Sequence, residues 1–426
     1  MSESRVDPFA AVDGLFRREA GTIAAAVVRL VGFQNLDLAE DIVQDVLVQA
    51  LEVWKFRGLP ENPAAWLTTA AKNRALDVIR RERTARRFAP DVADLLSTEW
   101  STVPTIQTAF LPNEVADAQL RLMFGLCDPR LPHETQVMVL LKYLCGFGVR
   151  EISHAFLSGE DAIEKRLSRA RATLQQGGAL TSIADATALA ARAPAVERAL
   201  YFLFNEGYHG SHAEQVVRQQ LCEEALRLTA QLAAHPLTST PGVHALFALF
   251  CLLGARLAAR QNEAGDLLPL EEQDRSRWDP ALTERGLNAL ARSASGSTLS
   301  EFHLEAAIAA EHAFASSFEC TNWSNIVALY DKLSVLRPSP VVRLNRAVAL
   351  AYAEGTEAGL AELAALEQDG KLNDYLFLSA TRADLLRRAG RQAEARVHYR
   401  RASELARNAA EQRFFARRLR ECGVNE

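Results

Sequence analysis

The chain has 426 residues, which at roughly 150 residues per domain predicts about three domains. Hydrophobic residues make up 49% of it and charged residues 24%, a globular composition that excludes a disordered or fibrous protein. The net charge of −5 argues against a free-standing protein that holds nucleic acid tightly by itself.

Composition also indicates the fold class and the compartment. Aromatic residues are few, at 7%, whereas Ala and Leu are abundant, which favours an all-α fold. The first ten residues lack a basic start followed by an apolar run, so no signal peptide is predicted. The longest apolar stretch, 243–254, has about half the length that a bilayer requires, which indicates a buried helix. The six cysteines form no CxxC pair and are typical of a reducing compartment. We therefore expect a cytoplasmic protein without a membrane segment.

The N-terminal part, 9–89, contains helical patterns that are interrupted by the Gly- and Pro-rich stretch 58–63. In the helix before that stretch, Leu38, Ile42 and Val46 recur at helical spacing and predict its buried side. The other side is polar and mainly acidic, and it consists of Asp37, Glu40, Asp41, Gln44 and Asp45. Such a face is either merely solvated or docks onto a basic partner surface.

A second helix follows the Gly- and Pro-rich stretch, and its pattern buries Leu67, Ala71 and Ala75. Its outward side is polar and basic and includes Lys72, Asn73, Arg80 and Arg83. Next to the aromatic residues of the preceding loop, such groups suit phosphates and unstacked bases. The alternative is a solvated helix whose aromatic neighbours, Trp66 above all, lie in the core.

Residues 90–113 lack sustained periodicity and predict a linker to a second helical block at 114–178. That block contains a short helix, a turn with Gly159 and a longer helix. The longer helix has an apolar stripe, formed by Ile163, Leu167, Ala170 and Leu174. Its opposite face includes Glu164, Lys165, Ser168 and Arg169. The arrangement is typical of a helix-turn-helix whose second helix enters a DNA major groove. The alternative is an ordinary helical hairpin, since the acidic residues on this face oppose phosphates.

The remainder, 195–426, is a long helical region with a weak internal repeat. Gly355 and Gly390 are 35 residues apart, each between two helical patterns. The second copy resembles a tetratricopeptide helix pair, with its packing positions at Ala383, Leu386, Gly390, Ala395, Tyr399 and Ala402. Stacked hairpins of this kind offer a concave surface for a peptide or for another part of the same chain.

One cluster raises the alternative of an enzyme or a metal site, because Glu206, His209 and His212 lie within seven residues. Their spacing matches neither HExxH nor a common zinc pattern. The sequence also contains no Walker loop and no GxSxG motif. We therefore predict a protein that is not an enzyme and that has no catalytic residues, no metal and no cofactor.

Taken in order, these segments resemble the bacterial RNA polymerase sigma factors of the extracytoplasmic-function type. The resemblance covers about 9–178 and is carried by the acidic helix, the helix WLTTAAKNRALDVIRRER (66–83) and the helix-turn-helix pattern. Three further stretches resemble the subgroup with a long C-terminal helical extension, namely YFLFNEGY (201–208), EEQDRSRWDP (271–280) and HLEAAIAAEHA (303–313).

The resemblance implies two small helical sigma domains, region 2 at 9–89 and the helix-turn-helix region 4 at 114–178, separated by the linker 90–113. A larger, tetratricopeptide-like domain at 195–426 would regulate them, through an intramolecular or a protein partner. The partners implied for the sigma domains are promoter DNA and bacterial core RNA polymerase, through its flap and the clamp helices of its largest subunit.

The resemblance also implies roles for single residues. The clamp helices would be bound by Asp37, Glu40, Asp41, Gln44 and Asp45. The promoter −10 element would be bound by Phe56, Arg57, Lys72, Asn73, Arg80 and Arg83, with the loop 56–64 holding a flipped base. The −35 element would be read by Glu164, Lys165, Ser168 and Arg169. Glu164 stands where the family commonly has Lys or Arg, which implies a different −35 preference.

The alternative function is an autonomous helix-turn-helix regulator whose helical repeat domain senses a ligand or a protein. Such a regulator would bind DNA without polymerase. It would leave the acidic helix and the helix 66–83 without a role.

Overall fold

The computed structural model describes residues 8–87, 112–156, 158–176, 186–208, 217–406 and 408–423. Within these ranges the predicted all-α class is confirmed, since they contain eighteen α-helices and no strand. One isolated antiparallel bridge joins Gln261 and Leu267.

The helices are named here in chain order. The first seven are α1 (Pro8–Val31), α2 (Leu36–Arg57), α3 (Pro63–Arg87), α4 (Pro112–Leu126), α5 (His133–Tyr143), α6 (Val149–Ala155) and α7 (Glu160–Gln175). The next five are α8 (Ala186–Tyr208), α9 (Gln219–Ala234), α10 (Pro241–Gly254), α11 (Pro280–Ser293) and α12 (Glu301–Phe314). The last six are α13 (Trp323–Leu336), α14 (Pro340–Ala353), α15 (Thr356–Asp369), α16 (Leu376–Arg388), α17 (Gln392–Glu404) and α18 (Ala409–Glu421).

The chain divides into two compact units. The N-terminal unit consists of Met1–Leu203 together with His235–Thr238, and the C-terminal unit of Phe204–Ala234 and Ser239–Glu426. The division falls inside α8. The domain boundaries given above stay predictions, and most of the predicted linker 90–113 lies outside the described residues.

In the N-terminal unit, α1 packs against α2, α3 and α4. The apolar positions predicted for α3 are buried, since Leu67, Ala71 and Ala75 have no exposed surface. Trp54 is buried as well, between the rings of Phe16 and Trp66. Trp66 itself is half-buried and packs edge to face on Trp54, with 5.6 Å between the ring centroids.

The predicted turn between α6 and α7 is described except for residue 157, which lies outside the described residues. The Ser158 N–H donates to the Ser153 carbonyl oxygen at 3.0 Å, and Gly159 caps the start of α7 in an extended conformation. The apolar stripe predicted for α7 is confirmed, because its four members are all buried: Ile163, Leu167, Ala170 and Leu174.

In the C-terminal unit, helices that follow one another in the chain pack together, from α10 on α11 to α17 on α18. Gly355 and Gly390 lie between α14 and α15 and between α16 and α17, with φ of 110° and 77°. Glycine suits both turns because other residues avoid positive φ. The packing positions of the second predicted repeat are buried, namely Ala383, Leu386, Ala395, Tyr399 and Ala402. Their assignment to a tetratricopeptide repeat stays a prediction.

The predicted apolar helix forms α10 and continues into a short 3-10 turn. Among the described residues, Pro241–Ala259 is long and apolar enough to cross a membrane by length and composition, and 67% of its apolar window is buried. Burial of that extent is typical of a helix in the core of a domain.

Cys320 is expected to be the cysteine that reacts in the folded protein. It is exposed, and hydrogen bonds with Ser317 and Ser316 lower the pKa of its thiol. The other five are buried: Cys127, Cys145, Cys222, Cys251 and Cys422. Because the thiolate is the nucleophile, titration with a chromogenic disulfide reagent should release one equivalent before unfolding, and none in Cys320→Ser. Rapid release of a second equivalent from the folded chain would contradict this.

Candidate functional site

The acidic face of α2 is partly covered by other helices of the N-terminal unit. Arg171 of α7 forms an ion pair with Asp37, and Gln175 Nε2 donates to Asp37 Oδ2 at 2.9 Å. The hydrogen bond from Arg171 is the main cause that lowers the pKa of the Asp37 carboxyl. One turn further along, Lys142 Nζ of α5 lies 3.0 Å from Glu40 Oε1.

The other predicted members of this face have different surroundings. Asp45 Oδ2 accepts a hydrogen bond of 2.8 Å from Arg74 Nε of α3. Asp41 and Gln44 are exposed. The structure therefore brings the five residues together on one side of α2, and α5 and α7 contact two of them.

A second set of contacts joins α1 to the segment around α6. Arg17 forms a bidentate ion pair with Glu151, with N–O distances of 2.9 and 3.1 Å. It also donates to the Gly146 carbonyl oxygen at 3.3 Å. The Glu151 carboxylate in turn accepts the Gly148 N–H at 2.9 Å, which fixes the start of α6.

Gly21 of α1 lies directly against the backbone of Leu144. A Cβ atom built on Gly21 would lie 2.1 Å from the carbonyl oxygen of Leu144. A backbone atom cannot move aside as a flexible side chain can, so glycine is required there. We call the four contacts Asp37–Arg171, Glu40–Lys142, Arg17–Glu151 and Gly21–Leu144 the closed contact.

The residues predicted for the −10 element lie at the end of α2 and along α3. Phe56 is 84% exposed, although it is a large apolar side chain, and Arg57 beside it is exposed too. Gly58, with φ of 76°, ends the helix. On α3, Asn73 is exposed and Lys72 is half-buried. The side chains of Arg80 and Arg83 lie outside the described residues.

The residues predicted for the −35 element share the exposed face of α7. Glu164, Lys165, Ser168 and Arg169 are all exposed, on the side opposite the buried stripe. Arg171, which contacts Asp37, is half-buried. Arg171 follows Ser168 by three residues and Glu164 by seven, so the residue that contacts α2 borders the face predicted to read DNA.

Of the cluster Glu206, His209 and His212, only Glu206 lies within the described residues. His209 and His212 lie outside the described residues, and within the described ranges no group of three metal-binding side chains occurs. Glu206 pairs with Arg218, with 3.7 Å between Oε1 and Nη1.

The sequence interpretation missed the basic residues that cover the acidic face, Arg171 and Lys142, and the pair Arg17–Glu151. Partners such as Asp37 and Arg171 are 134 residues apart in the chain. Helical periodicity places a residue on a face of its own helix, but it carries no signal for pairing at that separation.

Comparisons with known proteins give two family matches and two relatives. Residues 15–85 match the model of sigma-70 region 2, and residues 192–294 match a family of unknown function, DUF6596. The uncharacterized protein R00370 of Rhizobium meliloti (strain 1021) is 36% identical over 389 residues, 91% of this chain and 90% of that protein. The probable RNA polymerase sigma factor RfaY of Xanthomonas campestris pv. campestris is 30% identical over 158 residues, 36% of each chain. No solved structure matches. The N-terminal unit thus carries a sigma-70 region 2 domain.

Proposed function

Since the chain belongs to the family of the uncharacterized Rhizobium meliloti protein R00370 and carries a sigma-70 region 2 domain, we propose that it is an RNA polymerase sigma factor. It is of the extracytoplasmic-function type, and it directs core polymerase to specific promoters. The observation that carries the proposal is the region 2 match at 15–85. The partial similarity to a probable sigma factor over 158 residues supports it.

The exposed groups of the region 2 domain fit the two partners of a sigma factor. The acidic face of α2 suits the basic clamp helices of polymerase by charge complementarity. At the end of the same helix, the exposed ring of Phe56 suits stacking on an unpaired base. Asn73 and Lys72, nearly three turns into α3, suit the bases and phosphates of the −10 element.

The second DNA contact is proposed for α7. Arg169 and Lys165 supply positive charge on its exposed face, and Ser168 supplies a hydroxyl. Arginine and lysine in a major groove bind guanine edges or phosphates. Glu164 on the same face suits the amino group of a cytosine.

The closed contact competes with polymerase for two carboxylates of α2. Asp37 and Glu40 are engaged by Arg171 and Lys142, so the clamp helices would have to displace α7 and α5 to use these carboxylates. We infer that the N-terminal unit opens before or during polymerase binding. The C-terminal unit, which has its own buried core, is proposed to regulate that step.

Run-off transcription tests the proposed function. Fragmented DNA of the host is transcribed by bacterial core polymerase with and without the chain, and discrete new transcripts with shared upstream elements are expected. If the chain binds the same DNA without polymerase and starts no transcript, the autonomous regulator is the correct interpretation. A truncation after Leu203 that transcribes and responds in the same way as the intact chain would refute the regulatory role.

Reversing the charges that hold the closed contact is expected to favour polymerase binding. In the double variant Lys142→Glu/Arg171→Glu, two attractive pairs become repulsive. Ion pairs at the protein surface contribute up to about 1 kcal/mol each, so the affinity for core polymerase should rise roughly 3- to 10-fold. Fluorescence titration without DNA measures it.

The matched control is Lys332→Glu/Arg400→Glu, which changes the net charge equally at two exposed positions of the C-terminal unit. It should leave the affinity unchanged. Equal affinity of the two double variants would show that the closed contact does not oppose polymerase binding.

A further inference from the structure

The C-terminal unit contains a cavity of about 440 Å³. It lies between the segment 267–271 and the helices α12, α13, α14, α16, α17 and α18, and its walls include Leu270, Trp323, Tyr330, Tyr352 and Phe414. Cavities of a few hundred Å³ with mainly apolar and aromatic walls are typical of small-molecule sites. The volume is too small for a folded peptide segment.

Aromatic rings dominate one wall. Trp323 and Tyr352 are stacked with 4.4 Å between their centroids, and Phe318 packs edge to face on both at 5.0 to 5.2 Å. The Arg388 guanidinium lies 4.8 Å from the centroid of the Tyr352 ring, so this wall offers aromatic edges, which favour contact with another aromatic ring. A planar aromatic molecule therefore fits this wall.

The charges on the walls balance. Three arginines, Arg260, Arg388 and Arg418, and three acidic residues, Glu271, Asp384 and Glu411, line the cavity. Arg388 pairs with Glu271 and, at 2.7 Å, with Asp384, and Arg418 pairs with Glu272 and Glu421 just outside the cavity. A charged ligand would lose its hydration without gaining net attraction, so the walls favour an uncharged one.

Several buried polar atoms of the lining residues, Nε of Arg418 among them, have no hydrogen-bond partner in the described part of the chain, and one of them lies beside the aromatic wall. Nδ1 of His312 is buried and has no hydrogen-bond partner in the described part of the chain. Burial and the nearby Arg256 and Arg275 lower the pKa of His312 to about 3, so its ring is neutral at physiological pH. A buried polar atom without a partner costs about 1–3 kcal/mol. A ligand with a polar group that reaches Nδ1 of His312 would supply that hydrogen bond.

The segment 267–271, which lines the cavity, and its neighbours are held by ion pairs to the last helices. Asp266 Oδ1 accepts a hydrogen bond of 2.6 Å from Arg413 Nε, and Glu272 pairs with Arg418. Glu271 bonds to Arg388 and accepts from the Tyr352 hydroxyl at 3.4 Å.

From these observations we propose that the cavity of the C-terminal unit binds a small, uncharged, aromatic molecule that carries a hydrogen-bonding group. The site goes beyond the proposed sigma function and does not depend on it. Its test therefore measures binding alone.

The test uses the full chain and two fluorescent probes that share one aromatic frame. N-phenyl-1-naphthylamine is uncharged, and 8-anilinonaphthalene-1-sulfonate carries one negative charge. The uncharged probe is expected to bind saturably, one per chain, at least about 10-fold more tightly than the anion. Absence of saturable binding, or tighter binding of the anion, would overturn the proposal.

Cavity-filling variants locate the site. Ala380→Phe and Thr381→Phe each place a ring in the cavity wall and should weaken binding of the uncharged probe at least about 10-fold. Val335→Phe is the control, because Val335 is 85% exposed on α13 and does not line the cavity. Thermal melting shows which variants are folded, and a folded cavity variant with unchanged affinity would place the probe elsewhere. If neither cavity variant folds, the affinities of the two probes for the natural chain decide whether the proposal holds.

Discussion

Replacing Asp41 by Arg is expected to weaken the binding of core polymerase by at least about 30-fold, which corresponds to about 2 kcal/mol. Asp41 is exposed in the middle of the acidic face of α2. It takes no part in the closed contact, so its replacement does not change the opening of the N-terminal unit. An arginine there would repel the basic clamp helices, whereas the carboxylate would attract them. Titration of labelled core polymerase measures the effect.

The control for Asp41→Arg is Glu284→Arg. Glu284 is an exposed acid on α11 of the C-terminal unit, so the substitution also lies on a helix and changes the net charge by the same amount. Its polymerase affinity should equal that of the natural chain. If both variants bind polymerase as well as the natural chain does, the acidic face of α2 is not the polymerase-binding surface.

Gly21→Ala is expected to shift the N-terminal unit towards an open arrangement. The added Cβ would lie 2.1 Å from the Leu144 carbonyl oxygen, and overpacking of this kind costs about 1–3 kcal/mol. The substitution also stabilises the helical conformation of α1, because the helix propensity of alanine is about 1 kcal/mol more favourable than that of glycine. The population of the closed arrangement should therefore fall roughly 5- to 150-fold relative to the open one, while α1 remains helical.

Amide hydrogen exchange at 144–148 measures that shift, because the backbone of these residues becomes exposed to solvent when α1 moves away. Exchange there should become faster, and polymerase affinity should rise. The control is Gly254→Ala in α10, whose added Cβ would meet neighbours at ordinary contact distances of 3.5 and 3.9 Å. Unchanged exchange at 144–148 in Gly21→Ala would mean that the approach at Leu144 does not hold the unit closed.

The all-α class and the faces of individual helices were predictable from the sequence alone. Leu67, Ala71 and Ala75 are buried as their spacing predicts, and so is the stripe from Ile163 to Leu174. The turns at Gly355 and Gly390 also lie where the pattern placed them. These features depend on residues three to four positions apart, so the information is local. The region 2 domain was recognisable for a related reason, because its residues follow one another within a single stretch.

Only the tertiary structure decided which faces meet. The acidic face of α2 was interpreted as either solvated or docked on a partner, and Asp37 and Glu40 are in fact engaged by Arg171 and Lys142 of the same unit. Likewise, the rings of Trp323 and Tyr352 and the nitrogen of His312 line one cavity, although nothing in their spacing indicates it. Such contacts join residues far apart in the chain, and they form only when separately folded helices pack. Periodicity within one helix cannot specify them, since the same exposed pattern is compatible with water, a partner protein or another helix of the chain.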